Sequence, residues 1–248
     1  MPHLVVLTGA GISAESGIRT FRDGNGLWEN HRVEDVATPE AWARDPQTVL
    51  RFYNERRAQV CAARPNDAHL ALAELEKYFR VSVITQNIDD LHERAGSRDV
   101  LHLHGELMKS RSSRDPRLVY RLEEGDTIEM GDCCDSGAQL RPHVVWFGEN
   151  VPLYATACDI VAEADLLLIV GTSLAVTPAS MLIDEAPIEA PRVLVDPGAQ
   201  ALATNGVVPM ATSATKGVRA LCEFWRQHAR LLKPDPDILQ ADQRSDRA

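Results

Sequence analysis

The chain has 248 residues, a formal net charge of −10 and a hydrophobic content of 44%. This length suffices for one large α/β domain with insertions, or for a large domain beside a small one. The acidic balance leaves no basic stripe of the kind that nucleic-acid binding requires, so we expect no nucleic-acid partner. An acidic surface favours basic peptides through long-range attraction, although many proteins are acidic for solubility alone.

The sequence lacks the signals of membrane insertion and of secretion. No apolar stretch approaches the roughly 20 residues of a membrane-spanning helix. The N-terminal Met1-Pro2-His3 runs directly into an apolar segment, without the basic region or cleavage site of a secretory signal. The 5 cysteines are odd in number and scattered, which is typical of a reducing compartment. We therefore expect a cytoplasmic protein with no membrane partner.

The first predicted strand is the apolar run 4–7, and a glycine-rich segment follows it. Gly9 and Gly11 permit close backbone approach, and a helix from Ala14 onward would point its amides at a phosphate. The spacing departs from the dinucleotide fingerprint, because the third glycine falls at Gly17 instead of at position 14. A phosphate-binding loop and a plain strand-to-helix turn are both compatible with this segment.

A loop and two helices are predicted next. Residues 20–28 are polar and glycine-rich, which is typical either of a loop over a site or of an ordinary surface loop. Helices are predicted over residues 39–57 and 66–78. Tyr53 and Arg56 lie three positions apart in the first helix and therefore share one face. Taken alone, the pair also fits an amphipathic helix with an exposed arginine.

Two buried strands, 81–85 and 100–103, form the centre of the chain. The first ends in Gln86-Asn87-Ile88-Asp89, where hydrogen-bonding side chains follow an apolar run. The second ends at His104, which shares a strand face with His102 by alternation. A histidine at such a position is either structural or, with a pKa near neutrality, suited to act as a catalytic base.

The remainder of the chain returns to the sheet after an interruption. Residues 106–141 are charged and weakly periodic, which predicts an inserted lobe, and residues 142–149 are strand-like with an edge that could pair with a peptide. Buried strands are predicted over 164–170 and 192–196. A closing amphipathic helix (217–232) and a polar tail (233–248) follow.

Five predicted strands end in small or polar residues, and the carboxyl ends of parallel strands meet at one sheet edge. We therefore predict an α/β fold in which a Rossmann-like parallel sheet with helices on both faces is joined to a smaller lobe formed by two insertions. The residues expected at that edge are Thr8-Gly9-Ala10-Gly11, Gln86-Asn87-Ile88-Asp89, His104-Gly105, Gly171-Thr172-Ser173 and Asp196.

Five motifs, in order and spanning the chain up to about the closing helix, together resemble the signature of the sirtuins, which are NAD-dependent protein lysine deacylases. They are Gly9-Ala10-Gly11-Ile12-Ser13-Ala14-Glu15-Ser16-Gly17-Ile18, Thr20-Phe21-Arg22, Thr85-Gln86-Asn87-Ile88-Asp89, His102-Leu103-His104-Gly105 and Gly171-Thr172-Ser173. The resemblance implies an NAD-binding domain formed by residues 1–27, 81–105 and 142–232, a helical insertion at 28–80, a degenerate zinc-ribbon-like insertion at 106–141 and a flexible tail at 233–248.

The resemblance also implies residue roles. His104 would be the general base, and Asn87 and Asp89 would hold the nicotinamide carboxamide, so these three are the predicted catalytic residues. The predicted NAD-binding residues are Gly9, Ala10, Gly11, Phe21, Arg22, Trp28, Gln86, Asn87, Ile88, Asp89, Gly171, Thr172, Ser173, Asp196 and Ala214. The segment predicted to pair with the substrate peptide is Val145, Trp146, Phe147 and Gly148.

The implied reaction consumes NAD as a co-substrate and acts on acylated lysine in protein substrates. The acyl oxygen would attack the ribose carbon that bears nicotinamide, and a base would then activate a ribose hydroxyl, a task that suits a histidine. The products would be nicotinamide and O-acyl-ADP-ribose.

A further resemblance concerns the acyl group. Phe52-Tyr53-Asn54-Glu55-Arg56-Arg57 resembles the segment by which class III sirtuins recognise succinyl-lysine and malonyl-lysine. Arg56 offers a bidentate fork to a carboxylate and Tyr53 a further donor. Ala37 matches the small residue that leaves room in that pocket. We expect desuccinylase and demalonylase activity at least equal to deacetylase activity.

The chain departs from the family pattern at several positions. The four-cysteine zinc site is reduced to Cys133 and Cys134, and two adjacent thiols cannot make a tetrahedral site, so we expect no metal and a lobe held by packing alone. Arg19 replaces a common proline, which would leave the following loop less stiff. Leu194 stands where an asparagine that contacts the adenosine ribose is common, which would weaken NAD binding.

Two other functions remain compatible with the sequence. The same cleft could transfer ADP-ribose to protein or to water, as an ADP-ribosyltransferase or NAD glycohydrolase, or the chain could be a non-catalytic NAD or ADP-ribose sensor. The complete set of catalytic residues argues against the sensor. The sequence predicts no oligomeric state and no particular protein target.

Overall fold

The computed structural model describes residues 1–18, 27–28, 31–202 and 206–232, with the backbone alone at 27–28 and 228–232. The predicted tail at 233–248 lies outside the described residues. Among the described helices, none combines the length and apolar character needed to cross a bilayer.

Strands and helices alternate along most of the chain. The strands are β1 (His3–Thr8), β2 (Leu27–Trp28), β3 (His31–Arg32), β4 (Arg80–Thr85), β5 (Val100–His102), β6 (Gly105–Ser112), β7 (Val119–Arg121), β8 (Leu140–Val144), β9 (Leu166–Val170), β10 (Arg192–Val195) and β11 (Val207–Met210). The α-helices are α1 (Gly11–Ala14), α2 (Val33–Val36), α3 (Pro39–Arg44), α4 (Pro46–Ala62), α5 (Asp67–Leu75), α6 (Leu91–Ala95), α7 (Tyr154–Ala162), α8 (Ala199–Leu202) and α9 (Ala214–Leu232). A 3₁₀ helix spans Ala179–Glu185.

The main sheet has six parallel strands in the order β11-β10-β9-β1-β4-β5. All residues of β1 and β9 are buried, as expected for central strands that are covered on both faces. One face packs against α5 and α9, and the other against α7 and the 3₁₀ helix. The predicted α/β fold with a Rossmann-like parallel sheet is confirmed.

The small lobe combines α2, α3 and α4 with a three-stranded antiparallel sheet in the order β7-β6-β8. The two insertions share one apolar core, in which Phe52 and Val60 of α4 pack with Leu107 of β6 and Val144 of β8. β8 pairs with β6, so the predicted boundary between residues 141 and 142 falls inside this strand. Residues 145–149 lie beyond the end of β8 instead of continuing it.

Polar contacts also hold the lobe together, which corrects the expectation of packing alone. Arg57 is buried and donates from Nε to the Leu107 carbonyl at 3.0 Å and from Nη1 to Asn54 Oδ1 at 2.7 Å. Asn54 Oδ1 in turn accepts from the Ile128 N–H at 3.0 Å. α4 is thereby tied to the start and to the interior of the second insertion by hydrogen bonds that a sequence pattern does not reveal.

Two predicted helices differ from the observed ones. The helix expected over 39–57 is divided into α3 and α4, because Asp45 ends the first and caps the second through Thr48 N at 3.0 Å, and Pro46 cannot donate to the preceding turn. The helix expected from Ala14 onward is the single turn α1, which ends at Ala14.

Candidate active site

One cavity of about 660 Å³ lies where the carboxyl edge of the main sheet meets the small lobe. The pairing registers place the last residues of five neighbouring strands side by side, in the order Val195, Val170, Thr8, Thr85 and His102. The predicted site residues that line the cavity are Gly9, Ala10, Gly11, Ala37, Tyr53, Arg56, Gln86, Asn87, Ile88, Asp89, His104, Val145, Trp146, Phe147, Gly148, Gly171, Thr172, Ser173, Asp196 and Ala214.

The remaining predicted residues lie elsewhere. Phe21, Arg22, the Trp28 side chain and Arg19 lie outside the described residues. Leu194 is fully buried in the apolar layer beneath the sheet and does not line the cavity, whereas Asp196, just beyond the strand end, does. Because Leu194 does not reach the cavity, the expectation that it occupies a ribose-contacting position is wrong.

Three glycines allow the backbone to cross itself at the cavity floor. Gly171 adopts φ +62°, and a Cβ on Gly11 would lie 2.6 Å from the Gly171 Cα. The Gly11 N–H donates to the Gly171 carbonyl at 2.8 Å, and the Gly9 N–H donates to the Val170 carbonyl at 3.0 Å. Any side chain at Gly9 or Gly11 would force the two loops apart, so the glycines determine the shape of this end of the cavity.

Ser13 connects the two predicted amide-binding residues and was missed by sequence reasoning. Its buried hydroxyl accepts from Asn87 Nδ2 at 3.1 Å and donates to Asp89 Oδ2 at 3.0 Å. A serine inside a glycine-rich turn carries no periodic signal, so only its position among the strand ends could have indicated a role. The hydroxyl fixes both side chains relative to each other at the cavity wall.

Asp89 is a buried carboxyl group, 4% exposed, that is stabilised by directed hydrogen bonds. Burial raises its pKa, and this is opposed by the Leu91 N–H at 3.2 Å, by the Ser13 hydroxyl and by the positive charge of His102. A carboxylate held in this way is a strong acceptor for an amide N–H₂ group of a ligand.

His104 lies at the junction between the main sheet and the small lobe. The following Gly105 has φ +83° and its Cβ position would collide with the His143 carbonyl, so only glycine allows the chain to turn here. His104 Nδ1 donates to the Gln86 carbonyl at 3.1 Å, which leaves Nε2 as the basic nitrogen of the neutral ring. Burial lowers the His104 pKa, so the imidazole is neutral at pH 7 and able to accept a proton.

Tyr53, Arg56 and Ala37 lie together at the small-lobe end of the cavity. Tyr53 is fully buried, and its hydroxyl accepts from Trp146 Nε1 at 3.0 Å. Arg56 is 5% exposed and donates from Nη1 to Gln59 Oε1 at 2.8 Å. The interpretation of Arg56 as an exposed residue of a surface helix is therefore wrong, because its guanidinium group lines the cavity.

The segment predicted to pair with a peptide uses several of its own N–H groups internally. Val145 N donates to the His104 carbonyl at 2.8 Å, and Phe147 N donates to the Ala37 carbonyl at 3.0 Å. Trp146 N donates to Glu149 Oε2 at 2.8 Å. A peptide strand bound here would therefore use carbonyl groups of this segment or displace one of these bonds, and the pairing stays a prediction.

An ion-pair network that sequence reasoning missed supports Trp146. Glu149 forms ion pairs with Arg141 at 2.6 Å and with Arg111 at 3.1 Å. The Arg141 guanidinium group stacks over the Trp146 ring, 3.2 Å from its centroid. These three charged residues come from β6, β8 and the following turn, and their pairing follows from the strand register of the small lobe.

The two adjacent cysteines of the small lobe, Cys133 and Cys134, make local hydrogen bonds. Cys134 Sγ lies 3.1 Å from Ser136 Oγ, and hydrogen bonds from Ser112 and Ser136 lower the pKa of its thiol. Cys133 Sγ donates to the Gly131 carbonyl. Within the described ranges, no cluster of three or more histidine, cysteine or acidic side chains is placed to hold a metal ion.

With this geometry established, comparison with known proteins identifies the family. A family model described as the Sir2 family matches residues 9–178. The chain belongs to the Sir2 family. An NAD-dependent protein deacylase of Helicobacter pylori strain J99 is 56% identical over 200 residues, which cover 81% of this chain and 85% of that protein. An NAD-dependent protein deacylase of Bacteroides thetaiotaomicron is 55% identical over 201 residues, covering 79% and 86%.

Solved structures of Sir2 proteins share the fold. A Sir2 homologue in complex with NAD matches with a TM-score of 0.82 at 40% identity, covering 92% of this chain and 90% of that one. A Sir2 variant with a deacetylated p53 peptide and 3'-O-acetyl ADP-ribose matches with a TM-score of 0.73 at 32% identity, covering 89% and 92%. The predicted membership of the sirtuins, which are the Sir2 proteins, is confirmed.

Proposed function

We propose that this Sir2 protein removes acidic acyl groups, succinyl and malonyl, from protein lysine side chains at least as well as it removes acetyl groups. Membership of the family and the names of its relatives make the chain an NAD-dependent protein deacylase. The proposal adds the acyl preference and assigns residues to the reaction, whose products are nicotinamide and O-acyl-ADP-ribose.

The observation that carries the proposal is Arg56, a buried arginine that lines the cavity at the end formed by the small lobe. Arg56 lines the cavity beside Ala37, Tyr53 and Val60. Placing a charge in such surroundings is costly, and a carboxylate that enters the cavity offsets that cost by binding the planar fork of the arginine. The distal carboxylate of a succinyl or malonyl group is the complementary ligand.

Tyr53 and Ala37 support the same assignment. A phenolic hydroxyl accepts and donates at once, so Tyr53 can accept from Trp146 and donate its proton to an acyl carboxylate. Burial raises the Tyr53 pKa, so the hydroxyl keeps its proton at physiological pH and acts as a donor. Ala37 is 2% exposed and lines the cavity, where a larger side chain would occupy the space of the acyl group.

The sheet edge supplies the residues that we assign to the reaction itself. NAD supplies the ribose that accepts the acyl group and the nicotinamide that leaves. The site residues suit its parts: the glycine crossing gives room for a backbone approach to phosphate, and Asn87 and Asp89 present an amide and a carboxylate to the carboxamide. His104 Nε2 takes the proton from a ribose hydroxyl.

A panel of matched acyl peptides tests the proposal. Purified protein is incubated with NAD and one peptide sequence that carries acetyl-, malonyl-, succinyl- or butyryl-lysine, and the products are measured by mass spectrometry. Butyryl matches succinyl in length but lacks the carboxylate, so the pair isolates the charge. We expect kcat/KM for the succinyl peptide to exceed that for the butyryl peptide by about tenfold, the size of one charge-assisted hydrogen bond.

Two outcomes would contradict the proposal. Equal rates for succinyl and butyryl peptides would show that the carboxylate is not recognised. Transfer of label from adenine-labelled NAD to protein, with no loss of acyl groups from any peptide, would favour the ADP-ribosyltransferase alternative.

A further inference from the structure

A second histidine, His102, lies behind the nicotinamide-binding residues without lining the cavity. It ends β5, is 7% exposed and lies two residues before His104, the proposed catalytic base. Its Nδ1 lies 3.0 Å from the Asn87 carbonyl oxygen, and its Nε2 lies 2.7 Å from Glu93 Oε1. Both ring nitrogens are therefore engaged within the protein.

The two partners define the protonation state of the ring. A backbone carbonyl only accepts hydrogen bonds, so Nδ1 must carry a proton. The Glu93 pKa is lowered by its hydrogen bond and charge interaction with His102, so its carboxylate also accepts and Nε2 must carry a proton as well. A ring with both nitrogens protonated is an imidazolium cation, and the raised pKa of His102 agrees with this.

The cation acts on Asn87 through the backbone. Asn87 is held by its N–H group, which donates to Thr85 Oγ1 at 3.0 Å, and by its side chain, which donates to Ser13 at 3.1 Å. The bond from His102 fixes the carbonyl as well. Three anchors leave the Asn87 side chain one orientation at the cavity wall.

The cation also acts on Asp89 by charge. The positive ring lowers the pKa of this buried carboxyl group and so opposes the effect of burial. The effect of burial is the larger one, so the Asp89 pKa remains raised overall.

We propose that His102, held as an imidazolium by Glu93, is the positioning residue that fixes Asn87 for nicotinamide binding. This inference rests on the proposed function for the role of the nicotinamide site. The protonation state of the ring is inferred from its two hydrogen-bond partners and does not depend on the proposed function.

Other charged groups act on the same pair and are part of the expected pH response. Glu106 favours the protonated form of His102, and Lys109 favours the ionised form of Glu93. The His92 pKa is lowered by burial and by charge interaction with His69 and His102, so His92 is neutral at pH 7. Replacing Glu93 by glutamine removes the main carboxylate and should lower the His102 pKa.

The protonation state is tested by long-range ¹H–¹⁵N NMR of the histidine rings. The His102 signal is assigned with a His102→Gln variant, in which an amide replaces the ring. We expect both ring nitrogens of His102 to be protonated at pH 7.5 in the full-length protein. A neutral His102 ring at that pH would overturn the proposal whether or not the protein turns over any peptide.

The positioning role is tested by nicotinamide product inhibition with a succinyl peptide. In His102→Gln and in Glu93→Gln at pH 8, we expect the inhibition constant for nicotinamide to rise by roughly tenfold and KM for the peptide to change less than about twofold. Nicotinamide binding in Glu93→Gln should improve as the pH falls, because protonation of His102 restores the imidazolium, whereas His102→Gln should show no such dependence.

His3→Gln provides a matched control for the loss of a buried histidine. His3 is 4% exposed and bonds to Ser82 Oγ at 2.9 Å, at the opposite edge of the sheet. This control should lower stability without changing nicotinamide inhibition. Unchanged inhibition constants in both test variants, or an equal rise in peptide KM, would overturn the positioning role. Absence of turnover in the unsubstituted protein would instead contradict the proposed function, and the NMR result would still decide the state of His102.

Discussion

The two ends of the cavity are built in different ways. The sheet-edge end is formed by residues that directly follow strands, and the pairing registers alone bring them side by side. The other end, formed by Ala37, Tyr53 and Arg56 of the small lobe, is called the acyl end after its proposed ligand. It depends on contacts between distant segments, such as the Trp146–Tyr53 bond, which joins positions 93 residues apart. Under the proposed function, the sheet edge holds groups common to any acyl substrate, whereas the small lobe holds the groups that select the acyl chain.

The largest effect is expected at His104, the proposed catalytic base at the sheet edge. His104→Ala should lower kcat/KM for succinyl and acetyl peptides alike, by about 10²- to 10⁴-fold, because the ribose hydroxyl loses its proton acceptor. Steady-state kinetics with both peptides measures this effect. A loss confined to one peptide would contradict the claim that His104 acts on both acyl substrates.

A second prediction concerns acid stability behind the sheet edge. His69 is fully buried, and burial lowers its pKa to about 4, while His92, which bonds to Thr8 Oγ1 at 3.0 Å, is lowered as well. The unfolded chain therefore binds more protons than the folded one below the ordinary histidine pKa, so the free energy of unfolding falls as pH drops from about 6.5 towards 4.

Once the pH has fallen below both the unfolded and the folded pKa of His69, this residue alone has lowered the free energy of unfolding by about 3 kcal/mol. Urea denaturation across that pH range measures it, and His69→Gln should make the slope shallower. An unchanged slope in the variant would show that the buried histidine is not its origin. His102, whose pKa is raised, contributes in the opposite sense, and its stabilisation is lost as pH rises through its folded-state pKa.

The smallest effect is expected at the acyl end. Trp146→Phe removes the N–H donor to Tyr53 and leaves most of the ring surface in place, so we expect a loss of about 1 kcal/mol in transition-state stabilisation for succinyl peptides. Acetyl peptides should lose less. Trp42→Phe is the matched control, because the Trp42 ring also packs against Trp146, with a centroid separation of 5.8 Å. Equal losses with both peptides would assign Trp146 to general peptide binding.

Most of the sheet-edge end could be predicted from the sequence, for a physical reason. A strand buried on both faces needs a continuous apolar run, as in Leu166–Val170, and the polar residue after it must lie at the sheet edge. The expectation for Leu194 shows the limit of this rule. Leu194 lies in the apolar layer, whereas Asp196, only two residues later, lines the cavity.

The acyl end could be predicted only in part. The resemblance pointed to Tyr53 and Arg56, but the residues that hold them there gave no local signal. Arg141 and Glu149 are charged residues in a lobe without clear periodicity, and the pairing of Glu149 with Arg111 depends on the register of β6 with β8. Ser13 was missed in the same way, since its two bonds reach residues more than 70 positions away.

The most direct test of the separation between the two ends is the ratio of kcat/KM for matched succinyl and acetyl peptides in Arg56→Met. Arg51→Met, an exposed arginine on the same helix, is the control. We predict that the ratio falls by at least about tenfold in Arg56→Met, with deacetylation retained, and is unchanged in Arg51→Met. An equal loss of both activities in Arg56→Met would contradict the account.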